Sequence, residues 1–149
     1  MSVVYNRGKA RIAAAGWPNL DVRALVLVDA DTLPAGAENP DLNTVSELLA
    51  VSGVAEAAEV GGLTGYQRKT LSGEAVNEAD ATDEAQLDFT DISYAETESG
   101  RWVALVLYEE GASDAARNLI GLHDLSSPLV TNGGPVDLQV PTNGAYGLT

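Results

Sequence analysis

The sequence predicts an all-β protein, a β-sandwich or jelly-roll-like domain with one short N-terminal helix. Three observations predict it. Two strand-length apolar runs, residues 24–28 and 102–108, are rich in β-branched and aromatic residues. Several shorter segments alternate apolar and polar residues with the period of a half-buried strand. Gly, Pro, Asn and Asp punctuate the chain between these segments, as turns between strands require. With 149 residues, 45% of them hydrophobic, the chain fits one domain (residues 1–149) with enough apolar material for a core.

The first element is the helix. Val4, Tyr5, Gly8, Ile12 and Ala15 fall near one helical face, and Gly8 weakens the helix by about 1 kcal/mol relative to alanine. Gly16 suits the position after the last turn, and Pro18 prevents continuation. The run "VRALVLV" then reads as a strand buried on both faces. Residues 29–43, with Pro34, Gly36 and Pro40, form a long loop of the kind that is functional or locally structured. Asn43 or Thr44 can cap a short helical turn, with Glu47 completing a capping box and Val45, Leu48 and Leu49 facing inward. Gly53 ends that turn, and residues 54–60 fit either a helix or an irregular edge.

Beyond Gly65 the pattern is β. "YQRKTL" and "EAVNEA" flank Ser72-Gly73, which predicts a tight turn between two strands. Ala85, Leu87 and Phe89 alternate inward, then Ile92 and Tyr94, with a phase shift that predicts a bulge or bend near Thr90-Asp91. "WVALVLYEE" is a second fully buried strand and "NLIGLHDL" a third apolar one, while Val136, Leu138 and Val140 alternate and "GAYGLT" ends the chain as a strand. The count is seven to nine short strands.

Charge narrows the functions. Twenty-two acidic residues against eight basic ones give a net charge of −14, which disfavours nucleic acid and anionic lipid as partners. Between residues 74 and 98 there are nine acidic residues and no basic one, whereas four of the eight basic residues (Arg7, Lys9, Arg11 and Arg23) lie in the first 23 positions. A solvated acidic face and a surface complementary to a basic partner are both consistent with this. There are no cysteines, hence no disulfide framework and no thiolate metal site. Basic residues interrupt the apolar residues of the N-terminus, and no run approaches the roughly 20 apolar residues of a membrane span. We therefore expect a soluble protein without an export signal.

The chemistry-bearing motifs fail on spacing. "GGLTGYQRKTL" has the composition of a phosphate loop, but Lys69-Thr70 follows Arg68 where a P-loop needs glycine, and five positions before Arg68 stands Leu63. A P-loop also opens a helix, and a strand is expected here. In "DADTLPAGAENPD", Asp29, Asp31, Glu38 and Asp41 could converge on a cation, yet the fifth, sixth and twelfth positions from Asp29 are Leu33, Pro34 and Pro40, which rules out an EF-hand and leaves only a different calcium site between Asp29 and Asp41. His123, the sole histidine, neighbours Asp124 on a strand, where adjacent side chains point to opposite faces, and no nucleophile elbow is present. Aromatic residues are 5% of the chain and form no exposed cluster in the pattern, so a sugar platform is not indicated. Trp102 belongs to a buried strand, and Trp17 suits either a lid on the core or an interface anchor. No enzyme, cofactor or resident metal is expected.

The order of these pieces resembles a family of small virion structural proteins of tailed bacteriophages. The resemblance is carried by Val4-Tyr5-Asn6, "VRALVLV", Val45 to Leu48, "TGYQRKTLSG", "DFTDISYAE", "RWVALVLYEEG" and "LIGLHDL". It implies a sandwich on the particle, on either the head or the tail, made in the host cytoplasm. The first expectation is a head decoration or minor capsid protein binding the major capsid protein or other virion proteins, as a symmetric homo-oligomer. A minor tail or fibre-associated protein is the alternative, and a carbohydrate-binding module a third. On this basis Arg7, Lys9, Arg11, Trp17, Tyr66, Arg68 and Lys69 are the expected partner contacts, from the basic N-terminal segment and the glycine-rich turn.

Overall fold

A computed structural model describes residues 2–28, 32–62, 65–80, 84–140 and 146–148. The elements in chain order are β1 (Ser2–Val4), α1 (Asn6–Ala15), β2 (Val22–Val28), α2 (Val45–Leu49), β3 (Ala55–Glu56), β4 (Lys69–Thr70), β5 (Ala75–Ala79), β6 (Glu84–Asp88), β7 (Ile92–Tyr94), β8 (Gly100–Glu109), β9 (Asn118–Thr131), β10 (Val136–Leu138) and β11 (Tyr146–Leu148). Short 3-10 turns add Trp17–Asn19 and Ala35–Glu38. The described residues are mainly β, in three antiparallel sheets.

The largest sheet has the order β1-β9-β8-β2-β3, with β4 also pairing with β2. Its middle strands are the two apolar runs, and both faces are covered. Val22, Ala24 and Val26 join Trp102, Leu105 and Leu107 in a cluster with Trp17, Leu87, Phe89, Ile92 and Tyr94. Leu25 and Leu27 join Val103, Val106 and Tyr108 in a second cluster with Tyr5, Ala37, Val45 and Leu48. Burial on two sides is why these strands read as continuous apolar runs without alternation. Register shifts in β8 between Trp102 and Ala104 let Val103 and Ala104 both face the second cluster.

The helix α1 lies on β9. Gly8 is the contact: a Cβ there would stand 2.4 Å from the Ile120 carbonyl oxygen and 2.6 Å from its Cα. The glycine that costs the helix propensity is what allows the backbones to approach. Thr44 caps α2, its Oγ1 accepting from the Glu47 N–H at 3.3 Å, while a Glu47 carboxylate oxygen accepts from the Asn43 N–H at 2.7 Å. This is the expected capping box displaced by one residue. The long loop is locally structured: Ala37 is buried, and the Tyr5 hydroxyl donates to its carbonyl at 2.7 Å.

Four expectations need correction or completion. Ser72-Gly73 is not a hairpin turn, because β4 pairs with β2 whereas β5 pairs with β6; the chain crosses there from one sheet to another. The phase shift at Thr90-Asp91 is likewise a change of sheet, since β6 lies in β11-β6-β5 and β7 pairs with β10. Strand β9 runs on through Pro128 to Thr131; its ladder with β8 passes from Asp124 to Leu129 while β8 advances only from Ala104 to Trp102. A proline cannot donate to a ladder, and the skipped pairing contains it. Residues 54–60 contain the short edge strand β3 and no helix.

Candidate functional site

The candidate site grows from a gap in the sheet. The outer edge of β2 is covered by β3 at Leu27 and Val28 and by β4 at Arg23 and Ala24. Between them Val26 needs other partners. Its carbonyl accepts from the Ala57 N–H at 2.9 Å, and its N–H donates to the Tyr66 hydroxyl oxygen at 2.8 Å. The glycines before Tyr66 suit this close approach: Gly61 and Gly62 have φ of 70° and 60°, and a Cβ on Gly65 would meet the Val60 carbonyl at 1.9 Å. The Tyr66 N–H donates to Glu96 O at 2.8 Å, and the Val60 N–H donates to Tyr66 O at 3.1 Å. Within the stretch that imitates a phosphate loop, Tyr66 plugs a sheet edge. Leu63 and Thr64 lie outside the described residues.

Tyr66 is 0% exposed and packs with Tyr94 and Trp102, ring centroids 5.2 to 5.4 Å apart. Burial raises the pKa of the Tyr66 and Tyr94 hydroxyls well above the usual tyrosine range. The Tyr94 hydroxyl is buried without a hydrogen-bond partner among the described residues.

Beside this plug lies an open cleft of about 440 Å³. Arg68 forks onto Glu56 at 2.7 and 2.6 Å and reaches Asp114 at 2.6 Å. Arg117 bridges Asp114 at 2.7 Å and Glu110 at 2.6 Å, and Arg23 Nε stands 2.9 Å from Glu110. The guanidinium carbons of Arg68 and Arg117 lie 5.5 and 5.8 Å from the centre of the Tyr108 ring. Hydrogen bonding to Arg68 is the main cause that holds the Asp114 carboxyl below its ordinary pKa. For Glu110, burial pushes upward, but Arg117, the Gly111 N–H and Arg23 outweigh it and the net shift is downward. Alternating cations and carboxylates fasten the edge strand β3, the segment entering β4, and the turn between β8 and β9. Bidentate arginine pairs of this kind hold geometry well.

The expected contact residues separate into groups. Trp17 and Tyr66 are interior, 1% and 0% exposed, so their expected partner role is corrected to core packing. The Trp17 indole N–H donates to Asp88 O at 3.0 Å, which completes its burial. Arg68 is tied into the network, with 18% of its side chain exposed. Arg11 forks onto Glu109 at 2.7 and 2.6 Å, and Arg7 donates to Asn118 at 2.9 Å. Lys9 is exposed on α1. Lys69 sits 4.5 Å from the Tyr94 ring centre and donates to Ser93 O. The structure therefore brings Tyr66, Arg68 and Lys69 to one edge and Arg7, Lys9 and Arg11 to another element. Glu56, Tyr108, Glu110, Asp114 and Arg117 were absent from the expectation. Only Asp114 and Arg117, three apart, carried a local signal.

Of the loop carboxylates considered for calcium, Asp29 and Asp31 lie outside the described residues, and Asp41 accepts from Asn6 at 2.8 Å. Among the described residues no group of three His, Asp or Glu side chains is placed to hold a metal ion. His123 lies on β9 opposite Leu105, and burial lowers its pKa. No helix among the described residues is long and apolar enough to cross a membrane. Comparison with protein-family models, curated proteins and solved structures gave no match.

Proposed function

We propose that this chain is a non-enzymatic structural protein of a tailed-bacteriophage particle, a head decoration or minor capsid protein that binds the major capsid lattice. We further infer a β-sandwich, with the central sheet facing β5-β6-β11 and β7-β10 across the aromatic cluster. The observation that carries the reading is the use of the arginines. Arg23, Arg68 and Arg117 join short edge pieces into a block through carboxylate bridges, a construction suited to load-bearing rather than to a reacting centre. The resemblance of the sequence to virion proteins supports the same reading. Weak contacts from such a block, repeated by particle symmetry, give strong binding without any single large interface. Lys9, Lys69 and the outer parts of Arg7 and Arg11 are the contacts that this reading retains.

The test is to mix the purified protein with empty capsids. Co-sedimentation, together with greater resistance of the capsid to heat or denaturant, is the expected result. Absence of head binding overturns the capsid assignment. Co-purification with tails then points to a minor tail protein, and a signal on a glycan array points to a carbohydrate-binding module.

A further inference from the structure

We propose that the outer edge of β5 is a docking site for an extended, basic segment of a different protein, which adds to the three-stranded sheet as a further antiparallel or parallel strand. The proposal stands on this edge alone and holds whatever particle or complex supplies the segment.

Strand β5 is the last strand in the order β11-β6-β5. Among the described residues, its residues make no backbone hydrogen bond beyond the ladder with β6. The turn Trp17–Asn19 packs near it, yet Val76, Asn77 and Glu78 are all exposed, so both sides of the strand are open at its centre. Unpaired strand edges recruit strands, because each added residue satisfies main-chain groups.

Charge selects the occupant. Nine acidic residues and no basic one lie between positions 74 and 98, and Glu74, Glu78 and Asp80 are on or beside β5. Glu74, Val76 and Glu78 are two residues apart and so share one face of the strand. An incoming strand with two cations four positions apart and an apolar residue midway between them would set cations against the two glutamates and the apolar side chain against Val76. Acidic residues alone would serve to keep copies apart. Val76, 46% exposed, is what such protection does not need.

The chain's own basic segment is not that occupant. Ser2–Val4 is already paired with β9, Arg7 bonds Asn118, and Arg11 bonds Glu109. A second copy is also a poor candidate, since it brings a net charge of −14 to an acidic edge.

The experiment uses a short synthetic peptide with Lys, Val and Lys at successive alternate positions and Ser between them, titrated by fluorescence anisotropy, with amide exchange mapped on the intact protein. Two N-methylated versions carry methyl groups on opposite sets of alternate amides and keep the same charge. One version is expected to bind about tenfold more weakly than the parent and the other nearly as well, because strand addition uses only one set. New exchange protection is expected at residues 75–79. Val76→Lys is expected to weaken binding with an unchanged melting temperature. Equal binding by all three peptides, meaning plain charge attraction, overturns the proposal. So does absence of binding, or protection that appears elsewhere. Dimerisation through β5 in analytical ultracentrifugation overturns the choice of partner.

Discussion

Strands β2 and β5 are both strands with neighbours in antiparallel register, yet they occupy opposite extremes of this molecule. In β2 the side chains from Leu25 to Leu27 are at most 1% exposed, packed on both faces and paired on both edges. In β5 Val76 is 46% exposed and, among the described residues, only one edge is paired. The difference teaches that strand formation here has two sources. The central strands are fixed by two-sided burial of apolar area, worth about 25 cal/mol per Å². The outer strand is fixed mainly by its ladder with β6, and that makes it available.

The comparison can be broken first at Leu25. Leu25→Ala is expected to cost about 2–5 kcal/mol in urea denaturation, and a loss below about 1 kcal/mol would show that the second face is not a packed core. Next comes Gly8→Ala. Despite a gain in helix propensity of about 1 kcal/mol, the clash with the Ile120 backbone is expected to give a net loss of about 1–3 kcal/mol. A stabilised variant would mean that α1 can lift from β9 freely. Tyr66→Phe keeps the ring and removes the acceptor of the Val26 N–H, for an expected loss of about 1–3 kcal/mol. A neutral outcome would mean that the gap between β3 and β4 does not need its plug.

Acid sharpens the comparison at the edge of β2. Asp114 and Glu110 have pKa values lowered in the folded protein, so their contribution is complete above the unfolded carboxylate range near pH 4 and is lost as pH falls through the lower folded values. Asp114→Asn is expected to cost about 1 kcal/mol at pH 7, a value discounted for its partial exposure, and progressively less as pH falls below the unfolded carboxylate range. An unchanged cost at the lower pH would remove charge from the explanation. The smallest effect is expected at Val76→Ser, below about 0.5 kcal/mol by denaturation. A larger loss would place β5 with the core strands after all.

The parts of this fold visible in the sequence are those with local causes. The runs of β2 and β8, the capped turn at Thr44, and the helix ending before Gly16 each follow from neighbours within a few positions. What escaped depends on pairing across long separations. Ser72-Gly73 has turn chemistry, but nothing nearby states whether the next strand returns to the same sheet. Trp17, read as either a core lid or an interface anchor, and Tyr66, read as a partner contact, escaped for the same reason: their partners, Asp88 and Val26, lie far along the chain. The arginine cleft was the least legible feature, since Glu56, Arg68 and Asp114 meet only after β3, β4 and the turn between β8 and β9 are in place.

The pairing order of the central sheet bears on the protein's synthesis. Strand β2 emerges early, but β3 and β4 cover only two residues of it each, and its full-length neighbour β8 begins at Gly100. The N-terminal strand β1 waits longer still, because its partners are Gly121 to His123. Until β8 has been made, "VRALVLV" is an apolar segment without its full-length partner. Closing such distant pairs is slow. The central sheet is thus complete only once β9 has been made, and the strands that bury most apolar surface in the finished protein are the ones that leave the growing chain exposed to aggregation until then.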